Sequence, residues 1–140
     1  LTLTLRGAPP FNVEVTRLRH PAVAASLGSA IVAKLRQLPP AIANVLLIAV
    51  DGEDAGAVDV GSSVRAMRAL ADRRDAAFLA RGRYDSARAF YDRFLRLGAI
   101  VVWCEQATGD GRAAAWINGS ARIAVPARAM RACVTCLRAG

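Results

Sequence analysis

The sequence holds one histidine, His20, three cysteines and a single lysine, Lys34, among its 19 basic residues. Each scarcity closes a class of reading. One histidine with no serine or cysteine partner in view makes no catalytic triad, and no G-x-S-x-G elbow occurs. Cys104, Cys133 and Cys136 are too few for a disulfide framework. The one C-x-x-C, Cys133 to Cys136, falls in a helix-like segment without further ligands for structural zinc, so helix packing is its reading. Neither a phosphate loop nor a G-x-G-x-x-G fingerprint is found, which removes the common nucleotide-binding readings. No apolar run approaches the ~20 residues that span a bilayer. A membrane partner is therefore not expected, and a reducing cytoplasm is the expected compartment.

The residues that are present fit one α/β domain over residues 1–140, with a hydrophobic fraction of 54%. The chain opens directly in a strand-like alternation, Leu1 to Leu5, which predicts that an N-terminal part belongs upstream. Its net charge of +8 favours an anionic partner, nucleic acid first, with DNA ahead of RNA. A solvated basic surface without a partner has the same composition.

Leu1–Arg6 and Phe11–Leu18 alternate around Gly7-Ala8-Pro9-Pro10 and predict an antiparallel pair. Pro21 suits a helix start, and a helix is expected from Ala22 to Leu38, ended by Pro39-Pro40. Asn44–Val50 is a continuous apolar run of the buried-strand kind. The Asp51-Gly52-Glu53-Asp54 stretch closes it as a turn, and Ala55–Ser63 reads as a loop. Val64–Leu97 is helical, divided near Gly82, with Asp85 or Ser86 capping the second helix. It carries nine arginines against four aspartates, with Tyr84 and Tyr91 among them. That mixture suits nucleic-acid contact, or helix faces laced by i,i+3 and i,i+4 Asp–Arg pairs. Gly98 is expected to end the helix. Strands are expected next at Ala99–Cys104, Ala113–Ile117 and, after an Asn118-Gly119 hairpin, Ala121–Val125. A last helix runs from Pro126 to Leu137. The prediction is a mixed sheet, a β-hairpin leading into a βαβ crossover, with helices on the sheet faces.

Glu14 stands in the middle of Phe11–Leu18, where an acid is depleted on propensity grounds. Leu27, Ile31, Lys34 and Leu38 are spaced by four, three and four, so Lys34 lies on the apolar stripe of the next helix and can deliver its ammonium to the stripe's edge. Gln37 is one turn further on. A structural reading pairs Glu14 with Arg6 or Arg17 instead.

The order of hairpin, Glu-bearing strand, helix and buried strand, carried by Phe11-Asn12-Val13-Glu14-Val15-Thr16, resembles the restriction-endonuclease-like superfamily, the PD-(D/E)XK nucleases. The resemblance covers about Leu1 to Val50. It implies Mg²⁺-dependent phosphodiester hydrolysis, with Glu14 as metal ligand, Lys34 as the catalytic lysine displaced onto the helix, and Gln37 as its support. Thr16 stands where the motif has lysine. Leu1–Arg6 holds no acid, so the motif's Asp is expected upstream or lost. The rival is a non-enzymatic interaction or homodimerisation module, in which Arg65 to Arg96 serve surface pairing.

Overall fold

The computed structural model describes residues 1–4, 6–19, 23–51, 58–105 and 111–139. Its elements run β1 (Thr2–Leu3), β2 (Phe11–Leu18), α1 (Val23–Leu35), β3 (Ala43–Val50), α2 (Val60–Asp72), α3 (Ala76–Gly82), α4 (Ala87–Phe94), β4 (Leu97–Glu105), β5 (Gly111–Ile117) and α5 (Ala127–Ala139). The five strands form one mixed sheet in the order β1-β2-β3-β4-β5. β1 and β2 are antiparallel, β2, β3 and β4 are parallel, and β4 and β5 are antiparallel. The α/β class, the opening hairpin and the βαβ crossover are those the sequence predicts.

The period-2 pattern of β2 sorts its residues onto two faces. Val13 pairs with Val45 and Glu14 with Leu46, so Glu14, Thr16 and Leu18 share a face with Leu46 and Ile48. Helices α1 to α4 cover that face: Ile31 and Leu35, Met67, Phe78, Phe90 and Phe94 pack onto Leu46, Ile48, Ile100 and Val102. Ile31, Leu35, Phe90 and Ile100 are wholly buried, and each such side chain contributes about 1.5–3 kcal/mol of transfer free energy. The other face carries Phe11, Val13, Val45 and Val101 beneath Ala129 and Met130 of α5.

Asn44 ties these layers together. It is completely buried, and its Nδ2 lies 2.9 Å from each of the carbonyls of Pro39, Ile42 and Arg96, which share its two N–H groups, while Oδ1 accepts from Asn12 Nδ2 at 3.0 Å. One amide thus joins the turn after α1, the start of β3, the start of β4 and the neighbouring strand β2.

Several expected boundaries move. Val60–Ser63 is helical rather than loop, because Asp59 caps α2 by accepting from the Ser62 amide. The long helical segment breaks twice, after Asp72 and after Gly82. Arg74 and Arg83, both at φ 55°, turn the chain there, and Asp75 and Ser86 cap α3 and α4. Gly98 does not end a helix. It lies in β4 as the extra residue of a bulge opposite Asn44/Val45, and a Cβ there would come within 2.5 Å of Val125 Cγ2 and 3.1 Å of the Asn44 carbonyl. Ala121–Val125 is not a strand. The Asn118 side chain accepts from the Ser120 amide, the Arg122 amide donates to the Leu95 carbonyl, and Val125 settles on Gly98. The segment is bound to the end of α4 and the start of β4, which leaves its backbone no ladder with β5. The expected turns at Gly52-Glu53-Asp54 and Gly109-Asp110, and the helix opening at His20-Pro21, lie outside the described residues.

Candidate functional site

Among the described residues the hairpin ladder pairs Phe11 and Asn12 with β1 and ends at Val13, which exchanges backbone hydrogen bonds with Leu1. Glu14 therefore stands just past the point where the hairpin ladder ends, on the face that α1 crosses. The crossover brings Lys34 over it: Lys34 Nζ donates to Glu14 Oε1 at 2.7 Å. The chain then makes one tight turn, with the Gln37 amide donating to the Lys34 carbonyl at 2.9 Å. That turn returns the Gln37 side chain to the same ammonium, whose Nζ donates to Gln37 Oε1 at 3.1 Å. The three residues selected from the sequence thus meet at one ammonium. The side chains of Lys34 and Glu14 are 22% and 24% exposed, open enough to meet a ligand and covered enough to hold one geometry.

The alternative partners of Glu14 are not used. Arg17 points to the opposite face of β2, where its Nε and Nη2 both reach Asp51 Oδ1, at 2.8 and 2.7 Å. The ion pair of Glu14 among the described residues is with Lys34, not with Arg6. Of the acidic stretch after β3, Asp51 is thus engaged away from Glu14, and Glu53 and Asp54 lie outside the described residues.

Chemically, the site is a carboxylate with one oxygen held by a lysine and the other, Oε2, without a protein partner among the described residues. Lys34 has three N–H donors, of which Glu14 and Gln37 take two, leaving one for a ligand. Glu14 Oε2 is a hard oxygen that suits Mg²⁺, which is commonly bound through one or two carboxylates together with substrate phosphates. Among the described residues no group of three or more His, Cys, Asp or Glu side chains gathers around a common point. A cation here would therefore find at most two such side chains among the described residues, Glu14 being one. A separate hollow of about 400 Å³ between α1, α2 and α3, lined by Ser29, Val32, Met67, Phe78 and Arg81, includes none of the three site residues.

The arginine-rich helices resolve differently from both expectations. Tyr84 is a core residue whose hydroxyl donates to the Val32 carbonyl at 3.0 Å, and burial pushes its pKa up to about 12. Tyr91 donates to the Asp72 carboxylate. Neither ring is set out as a stacking platform. Among the described residues the Asp–Arg lacing within the helices is also missing: Asp75 caps α3, Asp72 receives Tyr91, and Asp92 pairs with Arg122 from beyond β5 at 2.8 Å. Three of the four aspartates of this segment are thus committed elsewhere, which leaves its arginines in excess. Arg36 and Arg122, which flank this segment in space, carried no sequence signal beyond their charge.

Among the described residues no helix is long and apolar enough to cross a membrane. No family model matches the chain, and neither curated proteins nor solved structures include a match to it.

Proposed function

We propose that this chain is a nucleic-acid-binding domain of restriction-endonuclease-like architecture, acting on DNA ahead of RNA, with a reduced Mg²⁺-dependent phosphodiesterase site at Glu14, Lys34 and Gln37. One observation carries the reading: a strand carboxylate, a helix ammonium and a turn amide, 20 and 3 residues apart, converge on Lys34 Nζ within 3.1 Å. A purely structural salt bridge has no need of the second acceptor, whereas a lysine that must present one N–H to a phosphate is oriented by fixing its other two. In this role Glu14 Oε2 holds the cation, Lys34 places positive charge on a phosphoryl oxygen, and Gln37 fixes the ammonium's direction. Mg²⁺, when bound, would neutralise phosphate charge and acidify water. The net charge of +8 supports a polyanionic partner. Thr16 in place of the motif lysine, and the lack of an acid in Leu1–Arg6, are the grounds for a slow site.

Nicking of supercoiled plasmid in Mg²⁺ tests this. The wild type is expected to nick slowly, and Glu14→Gln and Lys34→Ala to fall by roughly 10²-fold or more, the scale of a lost electrostatic contact in a transition state. Equal rates in all three remove the catalytic claim. Affinity for DNA that stays flat from low to moderate salt removes nucleic acid as well.

The interaction-module reading has an observation of its own. Where α5 does not reach, the second sheet face leaves Val15 49% and Leu3 36% exposed, beside an apolar hollow of about 180 Å³ lined by Val45, Leu47, Cys133 and Leu137. A homodimer closed over this face is its expected form, and light scattering reads it directly.

A further inference from the structure

Beside the candidate site, the end of α1, the end of α4 and the segment after β5 bring together guanidiniums that no element supplies alone. Arg96 is the anchored member. Its Nη1 donates to the Leu38 carbonyl at 3.1 Å, one residue past Gln37, and its Nε is buried without a partner among the described residues. Burial, and then the charges of Arg93 and Arg122, hold Arg96 below the usual arginine range. The Arg122 amide donates to the Leu95 carbonyl at 2.8 Å, which seats Arg122 against the same turn. The Arg96 amide donates to the Arg93 carbonyl at 3.0 Å, which puts Arg93 one turn before Arg96, and Arg36 stands in the turn after α1, two residues before the Leu38 whose carbonyl Arg96 holds; both also act on Tyr84 through space. Asp92 is the carboxylate in this cluster, and Arg122 already engages it.

Four guanidiniums against one carboxylate leave an excess of positive charge that suits an external anion. We infer that Arg36, Arg93, Arg96 and Arg122 form a docking strip for the phosphodiester backbone of a nucleic acid whose adjoining phosphate lies at Lys34. The strip rests on the functional reading above and extends it: these arginines supply affinity, as distinct from the residues that act on a phosphate. Planar guanidiniums suit phosphate oxygens bidentately, and Arg96, already held on the Leu38 carbonyl, loses little side-chain freedom on binding.

The test uses a short fluorescein-labelled DNA duplex and fluorescence anisotropy in EDTA, over a KCl series. Arg96 and Arg122 support the fold through Leu38 and Asp92. The informative changes are therefore Arg36→Gln and Arg93→Gln, whose side chains make no hydrogen bond or ion pair among the described residues. Arg131→Gln, exposed on α5 across the sheet, is the comparison. Each strip substitution is expected to reduce the slope of log K against log[KCl] by about 0.9, and the pair by about 1.8, with Arg131→Gln leaving it in place. Urea midpoints equal to wild type certify the fold of each variant. If wild type binds but the strip variants keep its slope, or Arg131→Gln loses as much, the strip is wrong and nucleic-acid binding stands. If wild type does not bind DNA, the strip and the functional reading fall together.

Discussion

Replacing Asn44 with alanine tests how the sheet and the candidate site are held in common. In a fully buried place the substitution deletes one accepted hydrogen bond and the two N–H donors that three carbonyls share. It leaves the carbonyls of Pro39, Ile42 and Arg96 and the amide of Asn12 without their partner. At about 1 kcal/mol net per hydrogen bond, with a larger cost where a buried group stays unpaired, the loss is about 4 kcal/mol. A chain of 140 residues holds on the order of 10 kcal/mol, so the variant folds but is heavily weakened. Urea unfolding monitored by Trp103 and Trp116 fluorescence is the assay. With a slope near 2 kcal/mol/M, the midpoint should fall by about 2 M. Asn44→Asp sharpens the test at pH 8. It is nearly isosteric but cannot donate, and it sets carboxylate oxygens against three carbonyls, so it should be at least as damaging as alanine. An aspartate variant close to wild type, or an alanine midpoint shift below about 0.5 M, would refute the hydrogen-bond account and reduce Asn44 to a filler of space.

Burial sets two further outcomes. Tyr84, with its folded pKa at about 12 against an ordinary 10.0, keeps its proton where the unfolded chain has lost it. Stability should therefore be intact below pH 10 and fall by about 2–3 kcal/mol as pH rises toward 12; a Tyr84→Phe variant should lack that decline in chemical denaturation measured across this range. The thiols should separate by access. Cys136 is exposed, burial raises the pKa of the Cys133 thiol, and Cys104 is fully buried. A disulfide reagent at pH 8 should then give a fast phase of about one thiol per chain, with Cys104 reacting only on unfolding; three equal rates would contradict this packing.

Much of the site was legible because its parts obey local rules. An acid in a β-alternation and a lysine on an apolar helical stripe are visible at spacings of two, three and four. The structure makes them partners. Other features escaped such rules. Asp59 looked like part of a small-residue loop because its capping role depends on the helix it starts. Ala121–Val125 has strand-like alternation, but its amide and its valine were claimed by α4 and Gly98. Of the acids available for Asp–Arg pairs within residues 64–97, Asp75 went to a cap, Asp72 to Tyr91 and Asp92 to Arg122.

Taken alone, the amino-acid order determines the α/β class, the crossover between β2 and β3 and the identity of the charged residues, because periodicity and breakers act over a few residues at a time. Which charges meet is another matter. That Glu14 faces Lys34 while Arg17 turns to Asp51, and that Arg96 reaches the Leu38 carbonyl, depends on the register of β2 on β3 and on how far α1 runs before it turns back. Those are distances between elements, and only packing the helices onto the sheet sets them.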